Sequence, residues 1–153
     1  MWTGGARVII VNEEGKILLV RQNHGGHNIW MPPGGASEED EFTRDTAIRE
    51  IMEETGFIVR IVRLLWTVEE VSESRGQRFV NFFLGTIIGG KEELGEDPEL
   101  GDNQVLEEMR FFSKEEMDSL ELLYPDFINE RIWDELADQN ASDPYMIRIY
   151  EEH

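Results

Sequence analysis

Three glutamates stand close enough in the sequence to act on one ion. Glu50, Glu53 and Glu54 have the spacing i, i+3 and i+4, so in a helix their carboxylates project from one face. Glu50 and Glu54 would lie about 6 Å apart along the axis. Like charges this close repel, and a hard divalent cation such as Mg²⁺ or Mn²⁺, which prefers oxygen ligands, would offset the repulsion. Taken alone, however, the spacing fits a solvated acidic helix face better than a metal site.

The charge of the whole chain limits the partners it can bind. The 153 residues include 33 acidic and 14 basic side chains, a net charge of −19. Such an excess disfavours DNA, RNA and anionic membranes, which attract basic surfaces. A polyanionic substrate stays compatible with this charge if a cation bridges it to the protein.

Composition also bounds the structural class and the compartment. The absence of cysteine excludes a disulfide framework, a thiolate metal site and a cysteine nucleophile. The chain is 40% hydrophobic, with 8 Phe and 4 Trp, which favours a packed core over disorder. We expect one domain over residues 1–153, with 140–153 peripheral. The apolar run at 8–11 is too short for a signal peptide or a membrane helix, so we expect a cytoplasmic location.

Strand signals come before and after the glutamate segment. Branched apolar runs at 6–11 and 16–21 flank a turn sequence at 12–15 that is typical of a hairpin, and long strands are predicted at 57–71 and 78–88. Shorter extended segments are predicted at 28–31 and 108–112. Pro and Gly at 32–35 predict a break, and the acidic residues of 89–103 predict a loop. The segment 144–150 is a terminal strand or a loose tail.

Helix signals surround the same glutamates and return late in the chain. Ser37 is predicted as an N-cap, the acidic residues 38–41 suit a helix N-terminus, and Gly56 supplies the stop. Ser113 begins a capping-box sequence, and 126–137 has the spacing of an amphipathic helix. Strands and helices that alternate in this way predict an α/β domain.

A wider pattern around the glutamates resembles the Nudix box, the motif of the Nudix (MutT-like) hydrolases. All seven fixed positions of that motif match at its spacing: Gly35, Glu41, Arg49, Glu50, Glu53, Glu54 and Gly56. The preceding Trp30–Gly35 segment is similar to the family's Trp-x-x-Pro-Gly-Gly run, except that Pro32 replaces an aliphatic residue. Phe57 replaces the closing aliphatic residue of the box. The resemblance covers about residues 4–137.

The resemblance implies a fold, an activity and a set of site residues. The fold is an α/β/α sandwich with a mixed β-sheet, and the activity is Mg²⁺- or Mn²⁺-dependent hydrolysis of a phosphoanhydride bond in a small nucleotide derivative. The implied metal ligands are the Gly35 carbonyl and the carboxylates of Glu50, Glu53 and Glu54. Catalysis would use Glu53 or Glu50 as general base, with Arg49 and Glu41 orienting the cluster. Expected substrate contacts are Gly34 and Gly35 and, from its place at a strand end among the scarce cations rather than from the resemblance, Arg21.

Several alternatives stay open from the sequence. The general base of some relatives comes from a later loop, which here offers Glu96, Glu99 and Asp102. The family also contains enzymes that remove pyrophosphate from RNA 5′ ends, which the charge of −19 disfavours. It further contains catalytically silent domains that sense nucleotides, although these usually lack some of the box carboxylates. The nucleotide itself, the number of metal ions and a homodimer are left open.

Overall fold

A computed structural model describes residues 4–73, 76–95, 104–138 and 144–149. The elements within these ranges, in chain order, are β1 Gly4–Ile10, β2 Ile17–His24, β3 His27–Met31, β4 Gly34–Ala36, α1 Thr43–Thr55, β5 Phe57–Ser72, β6 Gly76–Gly90, β7 Gln104–Phe112, α2 Lys114–Asp118, α3 Ile128–Ala137 and β8 Tyr145–Ile149. Among the helices of these ranges, none has the length and apolar character needed to cross a bilayer.

The strands form two sheets. The larger is mixed, in the order β4-β1-β6-β5-β8, with parallel pairing of β1 to β6 and of β5 to β8. The smaller, β3-β2-β7, is antiparallel. β5 and β6 form a long hairpin whose pairing contains three register shifts between residues 58 and 66 of β5. The α/β class with a mixed sheet, predicted from the sequence, is confirmed.

Alternation along β1 sends its side chains into two different cores. Ala6 and Val8 pack with Ala47 and Ile51 of α1, whereas Ile9 belongs to a cluster on the opposite face of the strand. That second cluster includes Trp66, Phe82, Ile128 and Ile132, all of them 0% exposed. Helices α1 and α3 therefore cover opposite faces of the mixed sheet. Full burial of each such aliphatic or aromatic side chain contributes about 1.5–3 kcal/mol.

The predicted hairpin of the first two strands is wrong beyond its turn. The Asn12 N–H donates to the Lys16 carbonyl at 2.9 Å, and Val11 and Ile17 form an isolated bridge. Beyond this point β1 joins the mixed sheet and β2 joins the antiparallel one. The strands separate because 17–20, at the start of β2, is buried on both faces and lies between two layers of the protein.

The predicted N-cap of the glutamate helix is also wrong. Helix α1 begins at Thr43, with Phe42 in extended geometry at the cap position. Ser37 instead accepts a hydrogen bond from the Thr46 hydroxyl at 2.8 Å. The acidic run folds as a loop in which Asp40 has a φ of 63°. Its last carboxylate, on Glu41, is held by side chains of α1 rather than by the helix dipole.

The predicted break at residues 32–35 is observed only at 32–33, after β3, because Gly34–Ala36 forms strand β4 at the edge of the mixed sheet. Gly35 pairs with Ala6, and Gly34 pairs with Arg7. A Cβ on Gly34 would lie 2.1 Å from the Ala6 carbonyl oxygen, so only glycine permits this pairing. The two prolines precede β4, where a missing N–H does not interrupt a ladder.

Other predicted elements are confirmed. Gly56 ends α1 in the left-handed conformation, with φ of 79°. At Ser113 both bonds of the capping box are present, the Glu116 N–H donating to Ser113 Oγ at 3.2 Å and the Ser113 N–H donating to Glu116 Oε1 at 3.0 Å. The amphipathic helix starts at Ile128, two residues later than predicted. Of the two alternatives for the tail, the strand is the one observed, as β8.

Candidate active site

Helix α1 turns two of its glutamates inward. Glu50 and Glu54 are both 0% exposed, whereas the Glu53 side chain is 37% exposed at the rim. A buried carboxylate is costly unless charged or polar groups compensate it. The interpretation of these residues as a solvated acidic face is therefore wrong for Glu50 and Glu54.

Strand β4 lies directly against the buried carboxylates. The Gly34 N–H donates to Glu54 Oε1 at 2.9 Å. A Cβ on Gly35 would lie 2.5 Å from Glu50 Cδ and 2.7 Å from each of its carboxylate oxygens. Because Gly35 lacks a side chain, the backbone of β4 can approach the carboxylate. The two glycines and two of the glutamates thus form one structural unit.

Arg49 links the glutamates to the loop before the helix. Its Nε and Nη2 atoms donate to the two carboxylate oxygens of Glu41, at 2.8 and 3.0 Å. Its Nη1 atom donates to Glu50 Oε1 at 3.0 Å and to Glu53 Oε2 at 3.2 Å, and Nη2 also reaches the Ala36 carbonyl at 3.1 Å. This guanidinium offsets the repulsion among the carboxylates and fixes their orientation.

The same contacts perturb the protonation of the bidentate pair. Hydrogen bonding to Arg49 is the main cause that lowers the pKa of Glu41 from 4.5 to about 2, against the opposing effect of burial. In return, the Glu41 carboxylate raises the pKa of Arg49 above its ordinary value. Both groups are therefore charged at neutral pH.

The donor set at this site fits a hard divalent cation. The carboxylates of Glu50 and Glu54 lie beside the backbone of Gly34 and Gly35, and carboxylate oxygens are ligands that Mg²⁺ and Mn²⁺ prefer. In the part of the chain that the structure describes, no three acidic or imidazole side chains already converge on one point. Arg49 Nη1 instead bridges Glu50 and Glu53.

Arg21 is not brought together with the box residues by any contact described for it. It lies on β2, with Nε 3.1 Å from Glu107 Oε2 and Nη1 3.6 Å from Glu108 Oε1. Its guanidinium also stands 5.6 Å from the centre of the Trp30 ring. The structure therefore pairs this scarce cation with acids of the antiparallel sheet.

A charged network around Glu70 was missed by sequence reasoning. Glu70 is 0% exposed, and its carboxylate contacts Arg78 at 2.9 Å, Arg148 at 3.2 Å and the Tyr124 hydroxyl at 2.5 Å. Burial, helped by the Glu70 charge, raises the pKa of Tyr124 well above its usual range, so this hydroxyl donates to Glu70. Arg7 approaches the other side of the network, 5.2 Å from the centre of the Tyr124 ring. The available signal was parity, because Glu70 lies at the same alternate positions of β5 as the buried side chains of Trp66 and Val68.

The acidic loop is described only in part. Glu96, Glu99 and Asp102, the alternative general bases, lie outside the described residues. The segment that precedes them borders a cavity of about 560 Å³ beside Glu53. Its lining includes Met52, Gly56, Gly90, Lys91, Glu93 and Gly95.

Comparisons with known proteins agree with this architecture. A Bacillus subtilis protein provisionally named an 8-oxo-dGTP diphosphatase is 34% identical over 91 residues, 60% of this chain and 58% of that protein. ADP-ribose pyrophosphatase of Methanocaldococcus jannaschii is 33% identical over 90 residues, 58% of this chain and 53% of that one. The chain therefore spans little more than half the length of either relative.

A solved structure supports the fold over a longer stretch. A NUDIX hydrolase from Nitrosomonas europaea superimposes with a TM-score of 0.75 at 20% identity, over 94% of this chain and 93% of that one. This likeness shows a shared fold. The family model described as the NUDIX domain matches residues 1–131. With the box residues gathered around the buried glutamates of α1, and with the family model matched over most of its length, the chain belongs to the Nudix family.

Proposed function

We propose that this protein hydrolyses a phosphoanhydride bond in a small nucleotide derivative, with Mg²⁺ or Mn²⁺ as cofactor. The observation that carries the proposal is the burial of Glu50 and Glu54 against Gly34 and Gly35, with Arg49 bridging the cluster. The names of the two relatives, a diphosphatase and a pyrophosphatase, support the same class of reaction.

The proposed metal ligands are the carboxylates of Glu50, Glu53 and Glu54 and the Gly35 carbonyl. A divalent cation held there would neutralise substrate phosphates, lower the pKa of a bound water and stabilise charge on the leaving oxygen. It would also reconcile an acidic protein with an anionic substrate.

Side chains of this chain would hold the metal ligands in place and accept the proton. Arg49 and Glu41 hold the carboxylates in place through the bonds given above. Glu53 is the proposed general base, because it is the exposed member of the cluster and borders the cavity, whereas Glu50 is fully buried. The Glu53 carboxylate would accept the proton of the attacking water. The backbone of Gly34 and Gly35 and the side chain of Arg21 are the proposed substrate contacts.

The single-domain organisation and the cytoplasmic location stay predictions from the sequence.

The test is a panel of nucleoside triphosphates, nucleotide sugars and dinucleoside polyphosphates with Mg²⁺ and with Mn²⁺. Release of phosphate is compared with release of pyrophosphate to identify the bond cleaved. We expect turnover of at least one compound, and a fall in kcat of about 10²–10⁴ for Glu53→Gln. Asp45→Asn is the matched control, because it removes an exposed carboxylate from the same helix. Absence of turnover across the panel with both metals contradicts the proposal and, if nucleotides still bind, favours a sensor domain.

A further inference from the structure

The segment Gly90–Gly95, named here the α1 clasp, runs along the C-terminal end of the glutamate helix. Three alternate residues of the clasp donate their backbone N–H groups to three successive carbonyls. Lys91 donates to Gly56 at 3.2 Å, Glu93 donates to Thr55 at 2.8 Å, and Gly95 donates to Glu54 at 2.9 Å. An extended segment that follows β6 thus supplies partners that the helix cannot supply for its own last carbonyls.

These bonds act at the least favourable part of the helix for acidic side chains. The last turn of α1 carries Glu53 and Glu54 and contains no basic residue. Carboxylates near a helix C-terminus are repelled by the partial negative charge of the terminal carbonyls. The donor groups of the clasp place partial positive charge against those carbonyls. The clasp therefore opposes fraying of the turn that holds two of the proposed metal ligands.

The approach of the clasp requires a residue without a side chain at position 95. A Cβ on Gly95 would lie 1.7 Å from the Glu53 carbonyl oxygen and 3.5 Å from Glu54 Cα. The obstructing atoms belong to the helix backbone, which cannot move aside as a flexible side chain can. Gly89, one residue before the clasp, differs, because a Cβ there would only make ordinary contact with Ile58, at 3.6 Å.

We infer that Gly95 is a positioning residue for metal binding, acting through the clasp on Glu53 and Glu54. The inference rests on the proposed metal role of these glutamates. The inference goes beyond that role in one respect. The clasp lies about 40 residues after the box and outside its pattern, and it would set the affinity of the site for the metal ion. The clasp also lines the cavity beside Glu53, so displacing it would alter the surroundings of that carboxylate.

The experiment measures Mn²⁺ binding to the full chain by electron paramagnetic resonance, without nucleotide. We expect Gly95→Ala to weaken Mn²⁺ binding by about tenfold or more, the range found when groups supporting metal ligands are removed. Gly89→Ala, the matched control, should bind Mn²⁺ within about twofold of the wild type. Circular dichroism and thermal melting establish that each variant is folded. Because the defect lies in metal affinity, excess Mn²⁺ should restore most of the lost kcat/KM of Gly95→Ala.

A second variant keeps the test decisive if Gly95→Ala does not fold. Glu93→Pro deletes the N–H that donates to the Thr55 carbonyl and puts its ring Cδ against that carbonyl, so it displaces the clasp at a different residue; it should also weaken Mn²⁺ binding. Wild-type affinity in the folded clasp variants overturns the inference while leaving the proposed function intact. Failure of the wild type itself to bind Mn²⁺ or Mg²⁺ overturns the proposed metal role instead.

Discussion

Replacing Glu41 by glutamine tests how far one ion pair stabilises the site. Glu41 receives two hydrogen bonds from Arg49, and its pKa falls from 4.5 to about 2. At about 1.36 kcal/mol per pH unit, this difference sets an upper limit of about 3.4 kcal/mol. The side chains of Glu41 and Arg49 are 15% and 22% exposed, so solvent screening reduces the expected loss to about 1–2 kcal/mol at pH 7.

The pH dependence follows from the direction of the change. A carboxylate with a lowered pKa in the folded state contributes stability that is fully present above its unfolded pKa, near 4.5, and is lost as the pH falls through about 2. The difference in unfolding free energy between wild type and Glu41→Gln should therefore be constant from about pH 5.5 to 7. It should shrink steadily below pH 4.5 and almost vanish near pH 2.

Urea denaturation of the metal-free proteins, followed by circular dichroism at a series of pH values, measures this difference. Glu39→Gln is the control, because Glu39 is an exposed acid of the same loop, and it should change the unfolding free energy by less than about 0.5 kcal/mol. If the gap between wild type and Glu41→Gln at pH 3 equals the gap at pH 7, the reasoning from the Arg49 contact is refuted.

Three further predictions concern other parts of the fold. Gly35→Ala should lower kcat by about 10² or more while the protein stays folded, because the new Cβ meets the Glu50 carboxylate; steady-state kinetics and circular dichroism check this. Glu70→Gln should cost about 3–5 kcal/mol in urea denaturation, because it leaves Arg78 and Arg148 without their buried counter-charge. Ser113→Ala should raise the unfolding rate and cost about 1 kcal/mol through loss of the cap bond.

The sequence predicts the glutamate helix and its C-terminal end because the signals for them are local. The spacing of Glu50, Glu53 and Glu54 and the stop at Gly56 are properties of one segment, and a helix is found there that ends at Gly56. The capping box at Ser113 is equally local and is confirmed. Burial of Glu50 and Glu54 was not predictable from the spacing alone, because it depends on β4, which reaches them through its pairing with β1.

Features that depend on distant partners were missed or mispredicted. β1 and β2 are joined by a hairpin-like turn, yet they pair in different sheets: β1 lies between β4 and β6, and β2 lies between β3 and β7. The N-cap predicted at Ser37 was wrong because Ser37 and Glu41 are bound by Thr46 and Arg49, which lie nine and eight residues further along the chain. The acidic neighbours of Arg21 on β7 were not foreseen either, because they are 86 and 87 residues away in sequence; its role as a substrate contact stays a prediction. Such competition between partners cannot be seen in a single segment.

The chain passes from the antiparallel sheet to the mixed sheet through only two residues, Pro32 and Pro33, between β3 and β4. Both are tied to β1, because the Pro33 carbonyl accepts the Val8 N–H at 3.0 Å and the Pro32 carbonyl accepts Arg7 Nη1 at 2.7 Å. Proline fixes φ, so this crossing behaves as a rigid strut rather than a hinge. Because Gly34, the first residue of β4, donates its N–H to Glu54 Oε1 at 2.9 Å, this rigid crossing connects the antiparallel sheet to a buried carboxylate of α1.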